Sequence, residues 1–172
     1  MEKSKSYQDK RPTSGGHVGP AAGQSSKDHI DLKILRSCLS DGRASFRKMA
    51  AELHVSTTTV ASHVSKLESD RVIRGYAALV DFQKLGYELT VVTEILVSKG
   101  KLLEMEREIA KLPGVCAVYD VTGEIDGIVV AKFKNREELS RFTKGLLALP
   151  FVERTNSHVV LTTVKEDFRL AI

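Results

Sequence analysis

The spacing of apolar residues changes once along the chain, from a helical period to a two-residue alternation. From Ile30 to Leu39 the apolar residues recur every three to four positions, which predicts an amphipathic helix. Two shorter helices are predicted to begin after Ser45 and Ser56, because serine is a favoured N-cap residue and apolar residues follow each one at helical spacing. Beyond Gly86 the pattern alternates, which is typical of strands with one face buried.

The second half of the chain predicts a sheet built from two similar halves. The pattern indicates strands at 87–98, 115–122, 125–133 and 155–164, with helices at 102–110 and 137–149. The sequence Leu-Pro-x-Val occurs at the end of both helices, beginning at Leu112 and again at Leu149. Two βαβ halves repeated in this way predict a ferredoxin-like βαββαβ domain, with two helices on one face of a four-stranded antiparallel sheet. Together with the helices before it, the predicted fold class is α+β.

The strand predicted at 125–133 is apolar on both of its faces, although the two helices can cover only one of them. Val129, Ala131 and Phe133 alternate along it with Ile128 and Val130. One of these two sets would lie in water in a monomer, and large exposed apolar patches mark interaction sites. We therefore predict a homodimer that forms through this sheet.

Composition divides the chain into a tail, two domains and a hinge. Nine of the sixteen residues at 11–26 are glycine, proline or serine, so this stretch has too few apolar groups to offset its ordering entropy. We predict a disordered tail at 1–27, a helical domain at 28–80 that ends in a β-like connector at 72–80, a hinge at 81–86 and the ferredoxin-like domain at 87–172.

Positive charge lies toward the N-terminus of the chain. The net charge of +4 divides into +3 for residues 1–27, +2 for residues 28–80 and −1 for residues 81–172. This distribution indicates that the helical domain, and not the second domain, faces a polyanion.

The three predicted helices have the spacing of a helix-turn-helix. Ala50 is small enough for two helices to cross closely, and Val55 and Val60 can fill the angle between them. The third helix presents polar side chains away from its apolar side, namely Thr58, Ser62, Ser65 and Lys66, and Thr57, Thr58 and Thr59 lie at its N-terminus. Hydroxyl groups and free N–H groups at a helix N-terminus can bind bases or phosphates, so this helix is predicted to bind double-stranded DNA. The alternative is a small helical unit that only packs against the second domain.

Other chemistry finds little support in the sequence. The five histidines are dispersed and no HExxH or P-loop pattern occurs, so no catalytic residue, metal site or cofactor is predicted. Cys38 and Cys116 are expected to be reduced and to lie in the core as small apolar residues. No apolar run is long enough to cross a bilayer and the N-terminus is too polar for a signal peptide, which predicts a cytoplasmic protein that does not bind membranes.

Short motifs along the chain resemble those of the Lrp/AsnC family of transcription regulators. The resemblance runs from about Ile30 to Lys165. Its motifs include Asp41-Gly42-Arg43, Ser56-x-x-Thr59-Val60, Val72-Ile73-Arg74-Gly75-Tyr76, Val121-Thr122-Gly123-x-x-Asp126 and Thr162-x-Val164-Lys165-Glu166. The resemblance implies a winged helix-turn-helix that binds DNA, joined to a domain that senses amino acids and assembles dimers into tetramers or octamers.

The resemblance also implies roles for particular residues. The recognition helix of the family usually carries arginine where this chain has His63 and Lys66, which adds His63 to the predicted DNA-binding residues. Family ligands lie near a hairpin, which predicts an amino-acid site formed by Thr122, Gly123, Glu124, Asp126 and Gly127. Asp126 would bind the ammonium group of the amino acid, and the N–H groups of the glycines would bind its carboxylate. The alternative is that these residues only form the turn.

Two positions depart from the family pattern at turns where glycine is usual. They are His54, between the second and third helices, and Arg71, before the connector. Histidine is found more often than most residues at positive φ, so His54 is expected to allow the same turn.

Two other functions remain open at this point. Sirohaem decarboxylases resemble the family in both domains, but they carry an Arg-Phe-Gly connector where this chain has Arg74-Gly75-Tyr76. The chain could also be an amino-acid-sensing module whose helical domain serves only assembly. Retardation of DNA and the absorbance of an added tetrapyrrole would discriminate between these functions.

Overall fold

The computed structural model describes residues 26–98 and 100–172, which form two compact units. The first unit contains the described residues up to Ala77 together with Arg169–Ile172, and the second unit is Ala78–Phe168. Within the first unit, Arg36 Nε donates a hydrogen bond to the main-chain oxygen of Ile172. None of the helices in these described ranges combines the length and the apolar character that crossing a membrane requires.

Three helices form the first unit, close to the positions that the sequence predicts. They are α1 at Ser26–Ser40, α2 at Phe46–Leu53 and α3 at Thr57–Ser69. Because α1 begins at Ser26, the last two residues of the tail predicted at 1–27 are helical, and the rest of that tail lies outside the described residues. The buried core of the unit is Ile34, Met49, Ala50, Val60, Val64 and Leu67.

The ends of the short helices are set by their neighbouring residues. Ser45 Oγ accepts the N–H of Lys48 at 3.2 Å, and Ser56 Oγ accepts the N–H of Thr59 at 3.0 Å, so both predicted N-caps are confirmed. Helix α2 ends at Leu53, and His54 follows as its C-cap with a φ of 54°, in the left-handed region, as expected for a residue in the place of glycine.

The connector after α3 differs from its predicted β-like form. Residues 72–80 make no strand, because no strand of the described residues pairs with them to satisfy a ladder. The connector begins instead with a turn at Arg71, whose φ is 57°. Tyr76 Oη donates a hydrogen bond to Glu68 Oε1 at 3.0 Å, and desolvation together with this bond raises the pKa of Tyr76 to about 12. This contact ties the connector to the end of α3.

The described residues of the second unit form four strands, two α-helices and a short 3-10 helix. They are β1 at Leu89–Val97, α4 at Leu102–Ile109, β2 at Val115–Asp120, β3 at Gly127–Phe133, α5 at Arg136–Leu147 and β4 at Val152–Val159, with the 3-10 helix at Gln83–Leu85 in the predicted hinge. The sheet is antiparallel with the order β2-β3-β1-β4, which confirms the ferredoxin-like topology. Strand β4 ends at Val159 rather than at the predicted 164, because Val159 pairs with Val91 near the start of β1 and little of β1 remains beyond it.

The two faces of the sheet differ as the alternation predicts. Val129, Ala131 and Phe133 of β3 are at most 3% exposed and share one core with Phe142 and Leu146 of α5. Ile128 and Val130 point to the opposite face and are only half-buried. The open face of the sheet is therefore the one that contains Ile128 and Val130.

The two cysteines have different environments. Cys38 packs against the helical core as expected, and burial, with a contribution from Glu68, raises the pKa of its thiol. The prediction of a core position for Cys116 was wrong, because the register of β2 shifts between Val115 and Ala117 and Cys116 is exposed at this irregularity. Across the described ranges, no three His, Cys, Asp or Glu side chains cluster in a way that could hold a metal ion.

Candidate functional site

The start of α3 is held in place by a tight turn and a polar cap. Val55 N–H donates to the carbonyl oxygen of Ala50 at 3.1 Å, which closes the turn after α2. Ser56 Oγ accepts the N–H of Thr59 and also lies 2.8 Å from Thr59 Oγ1. The first N–H groups of a helix lack acceptors within it and carry the positive end of its dipole, so this end of α3 suits an anion.

Helix α3 has an exposed hydroxyl face, formed by Thr58, Ser62 and Ser65. These residues are spaced by four and three positions, so they share one face, and Val60 and Val64 are buried on another. The side chains of Thr58 and Ser62 make no hydrogen bond with any described residue. Thr57, at the first position of α3, is also exposed. The structure therefore leaves these predicted DNA-binding hydroxyl groups free to bind another molecule.

His63 and Lys66 lie on a third face of α3, next to Asp31 of α1. His63 Nδ1 lies 2.6 Å from Asp31 Oδ1, and Lys66 Nζ lies 3.9 Å from Asp31 Oδ2. The side chains of Asp31 and His63 are 14% and 18% exposed, whereas that of Lys66 is 61% exposed. The residues predicted as one DNA-contacting set are thus divided between the hydroxyl face, the Asp31 face and the first turn of α3, which holds Thr57 and Thr59. Only Lys66 on the Asp31 face reaches far into solvent.

Sequence reasoning missed two features of this helical unit. Asp31 precedes His63 by 32 positions, and no local pattern links the two residues. Three exposed cationic residues at and before the start of α2, Arg43, Arg47 and Lys48, were also not predicted to contact DNA, although the positive charge of residues 28–80 was a signal that pointed to them.

The five residues predicted to bind a ligand come together at the hairpin between β2 and β3. Thr122, Gly123 and Glu124 are exposed, Asp126 is half-buried, and Gly127 is buried as the first residue of β3. Asp126 Oδ2 accepts the N–H of Val97 at 2.8 Å, and the N–H of Asp126 donates to the carbonyl oxygen of Ile95 at 3.0 Å. One carboxylate oxygen of Asp126 therefore holds the hairpin against the end of β1, and the other makes no hydrogen bond with any described residue.

Two family models match this chain, one on each unit. Residues 27–74 match a model for a winged helix-turn-helix that binds DNA, and residues 90–170 match the Lrp/AsnC ligand binding domain. The first match spans α1 to α3, and the second covers nearly the whole of the sheet unit.

Several relatives and solved structures are similar over most of the chain. An uncharacterised HTH-type transcriptional regulator of Pyrococcus abyssi is 48% identical over 143 residues, which are 83% of this chain and 97% of that protein. The HTH-type transcriptional regulator FL11 of Pyrococcus horikoshii is 34% identical over 84% of this chain and 96% of its own length. A transcriptional regulator of Neisseria meningitidis, solved in complex with L-Met, superposes with a TM-score of 0.77 at 25% identity, covering 84% of this chain and 96% of that one.

Proposed function

The chain belongs to the Lrp/AsnC family of transcription regulators, and we propose that α3 is the helix with which it reads double-stranded DNA. It is a DNA-binding transcription regulator, in which a winged helix-turn-helix precedes a ferredoxin-like domain. In a helix-turn-helix the second helix of the pair enters the major groove, and α3 holds that position after α2.

The exposed hydroxyl face of α3 is the observation that carries this proposal. Thr58 and Ser62 have no partner among the described residues, and hydroxyl groups can donate to and accept from base edges. A face that served only packing within the chain would be buried, as the Val60 face of the same helix is. Thr58 and Ser62 are therefore proposed to distinguish bases, and the start of α3, with Thr57 and Thr59, to receive a phosphate.

His63 and Lys66 are proposed to bind the DNA backbone from the adjacent face. Asp31 holds Nδ1 of His63, which fixes the ring and leaves Nε2 for another partner. Lys66 lies too far from Asp31 for a tight ion pair and is mostly exposed, so its ammonium group can exchange Asp31 for a phosphate. Contacts of this kind add affinity that does not depend on base sequence.

The assignment of α3 is tested by salt-dependent retardation of the DNA upstream of the chain's own gene. We expect Lys66→Ala to weaken binding to all fragments and to lower the slope of log affinity against log salt by about 1. Thr58→Ala should instead change the preference among sites. Lys84→Ala is the matched control, because Lys84 is exposed but lies outside the helical unit. A folded Thr58→Ala/Lys66→Ala double variant that binds its best site unchanged would disprove the assignment.

We also propose that the hairpin of the sheet unit binds an amino acid. Support comes from the second carboxylate oxygen of Asp126, which makes no hydrogen bond with any described residue, and from a structural relative that was solved with L-Met. Asp126→Asn keeps an acceptor for the N–H of Val97 but loses the negative charge, so it should cost about 1 to 3 kcal/mol of binding, or about five- to 150-fold in affinity. Calorimetry with L-methionine and then the other amino acids measures this. If no amino acid binds at millimolar concentration, the residues only form the turn.

We propose that the chain forms a homodimer through the open face of the sheet and that these dimers can assemble into tetramers or octamers. Ile128 and Val130 are half-buried there, and Tyr119 beside Ile128 is 44% exposed. Apolar residues at the other end of the unit are more exposed still: Leu79 at 72%, Leu161 at 96% and Val164 at 95%. A second copy would remove such surface from water, at about 25 cal/mol for each Å² of apolar area.

We propose no catalytic role for the chain, since the names of its relatives describe transcription regulators. A change in the absorbance of an added tetrapyrrole, followed by its conversion, would contradict this proposal. The cytoplasmic location inferred from the sequence stays a prediction.

A further inference from the structure

A cavity of about 340 Å³ opens in the sheet unit at the end of β3 that lies away from the hairpin. Its lining includes Gly114 before β2, Lys132 and Phe133 at the end of β3, and Arg141 and Gly145 of α5. Strand β3 runs from Gly127 to Phe133, so at about 3.3 Å per residue the cavity is roughly 20 Å from the hairpin. The two places are therefore separate sites on the same unit.

The inner wall of the cavity is apolar. Phe133 and Phe142 are 3% and 7% exposed, and their ring centroids lie 5.0 Å apart. Leu112 and Pro113 add apolar surface from the turn before β2. A molecule in the cavity would thus place an apolar body against two aromatic rings.

Three charged side chains line the cavity, and one of them, Arg141, makes no ion pair or hydrogen bond with a described residue. Lys132 Nζ lies 2.9 Å from Glu166 Oε2, and Glu138 Oε2 accepts the N–H of Lys134 at 2.9 Å as part of the cap of α5. Arg141 makes no hydrogen bond or ion pair through its side chain with any described residue. The cavity therefore offers one uncommitted guanidinium beside an apolar wall.

Gly145 keeps the space beside Arg141 open. It lies four residues after Arg141 in α5, so the two residues share one helix face. Glycine lowers helix stability relative to alanine, yet a Cβ atom at Gly145 would meet no atom within 4 Å and the backbone there is helical. Neither backbone geometry nor packing within the chain requires glycine at this position, and a larger side chain there would narrow the cavity that Gly145 lines.

We propose that this cavity binds a small carboxylate with an apolar body. The guanidinium of Arg141 pairs with the carboxylate, for which its fork of N–H donors is suited, and the body lies against Phe133 and Phe142. The carboxylate can belong to a 2-oxo acid or to an amino acid, since both present the same group to Arg141. This site does not depend on the hairpin proposal, because no hairpin residue lines the cavity.

The proposal is tested by calorimetry on the full chain with three probes that share one branched body. They are 4-methyl-2-oxopentanoate, L-leucine and the neutral 4-methylpentan-1-ol. We expect at least one of the two carboxylates to bind at least tenfold more tightly than the alcohol, and the tighter of the two shows whether an ammonium group is accepted. Equal binding of the alcohol, or no binding of either carboxylate at millimolar concentration, would overturn the proposal.

Variants of α5 separate binding from stability. Arg141→Ala should weaken carboxylate binding at least tenfold, whereas Arg136→Ala, at the exposed start of the same helix, should leave it unchanged. Gly145→Ala should raise the melting temperature and weaken binding, and Gly145→Leu should weaken it further without loss of helix. If Gly145 had only a structural role, a variant with a raised melting temperature would not also bind the carboxylate more weakly. Carboxylate binding that survives in Arg141→Ala but is lost in Asp126→Asn would move the site to the hairpin and refute the assignment to the cavity.

Discussion

The helical unit and the sheet unit reach their structures through contacts of different range. In the helical unit, Ser45 and Ser56 each bond the N–H group three residues ahead, so the start of a helix is decided within four residues. In the sheet unit, Val91 pairs with Ala131 on one side and with Val159 on the other. The comparison shows that helix ends follow from neighbours in sequence, whereas strand ends follow from where a distant partner stops.

The same difference applies to the candidate sites. The hydroxyl face of α3 follows from helical spacing alone, since Thr58 and Ser62 must lie opposite to the buried valines in any straight helix. The attachment of Asp126 to Val97, and the cavity beside Arg141, depend on segments that only the folded sheet brings together. Substitutions in the sheet unit, where contacts join distant segments, should therefore have larger effects than substitutions at the local helix caps of the helical unit.

The largest effect is expected from a charge on the open face of the sheet. Val130→Glu would place a carboxylate in the proposed dimer interface, where an unpaired charge costs several kcal/mol, so dimerisation should weaken at least about a hundredfold. DNA affinity should fall with it, because two half-sites are no longer bridged. Light scattering with retardation of DNA measures both effects.

The matched control for this change is Leu147→Glu. Leu147 is 54% exposed on α5, which covers the other face of the sheet, so a charge there should leave the dimer intact. If Leu147→Glu dissociates the dimer and Val130→Glu does not, the interface lies on the helices. A wild-type chain that is monomeric at micromolar concentration would remove the basis for the dimer.

The next effect concerns a glycine at which two distant segments meet. Gly114 has a φ of 82°, and a Cβ atom there would lie 2.6 Å from the carbonyl oxygen of Lys132. Gly114→Ala should therefore lower the free energy of unfolding by about 2 to 3 kcal/mol, from backbone strain and the clash together. Gly86→Ala is the control, because Gly86 has a φ of 85° but open space around it, and it should lose only about 1 kcal/mol. Equal losses in urea denaturation would show that the close approach contributes nothing.

The order of elements and the two serine caps could be predicted from the sequence, but the side-chain contacts between distant segments could not. Periodicity and the repeated Leu-Pro-x-Val located the α-helices and strands with ends at most about five residues off, and the antiparallel order followed from the known βαββαβ topology. They also predicted a β-like connector at 72–80 that is not a strand, and they missed the 3-10 helix at Gln83–Leu85. The alternation along β2 did not reveal the register shift that exposes Cys116, since a bulge is a property of the strand pair. The pairing of His63 with Asp31 was hidden for the same reason, because it joins two helices.

The smallest effect on stability is expected from the loss of a helix cap, whose contact joins residues only three positions apart. Ser56→Ala removes the oxygen that accepts the N–H of Thr59, and loss of a serine cap costs about 1 kcal/mol of stability. Ser65→Ala is the control within the same helix, since Ser65 caps nothing and alanine favours the helix, so its stability should stay equal or rise slightly. Urea denaturation followed by circular dichroism compares the two variants. Because the start of α3 also presents Thr57 and Thr58, fraying of this turn should weaken DNA binding beyond the loss in stability. A Ser56→Ala chain with unchanged unfolding would mean that packing of the buried valines, and not the cap, decides where α3 begins.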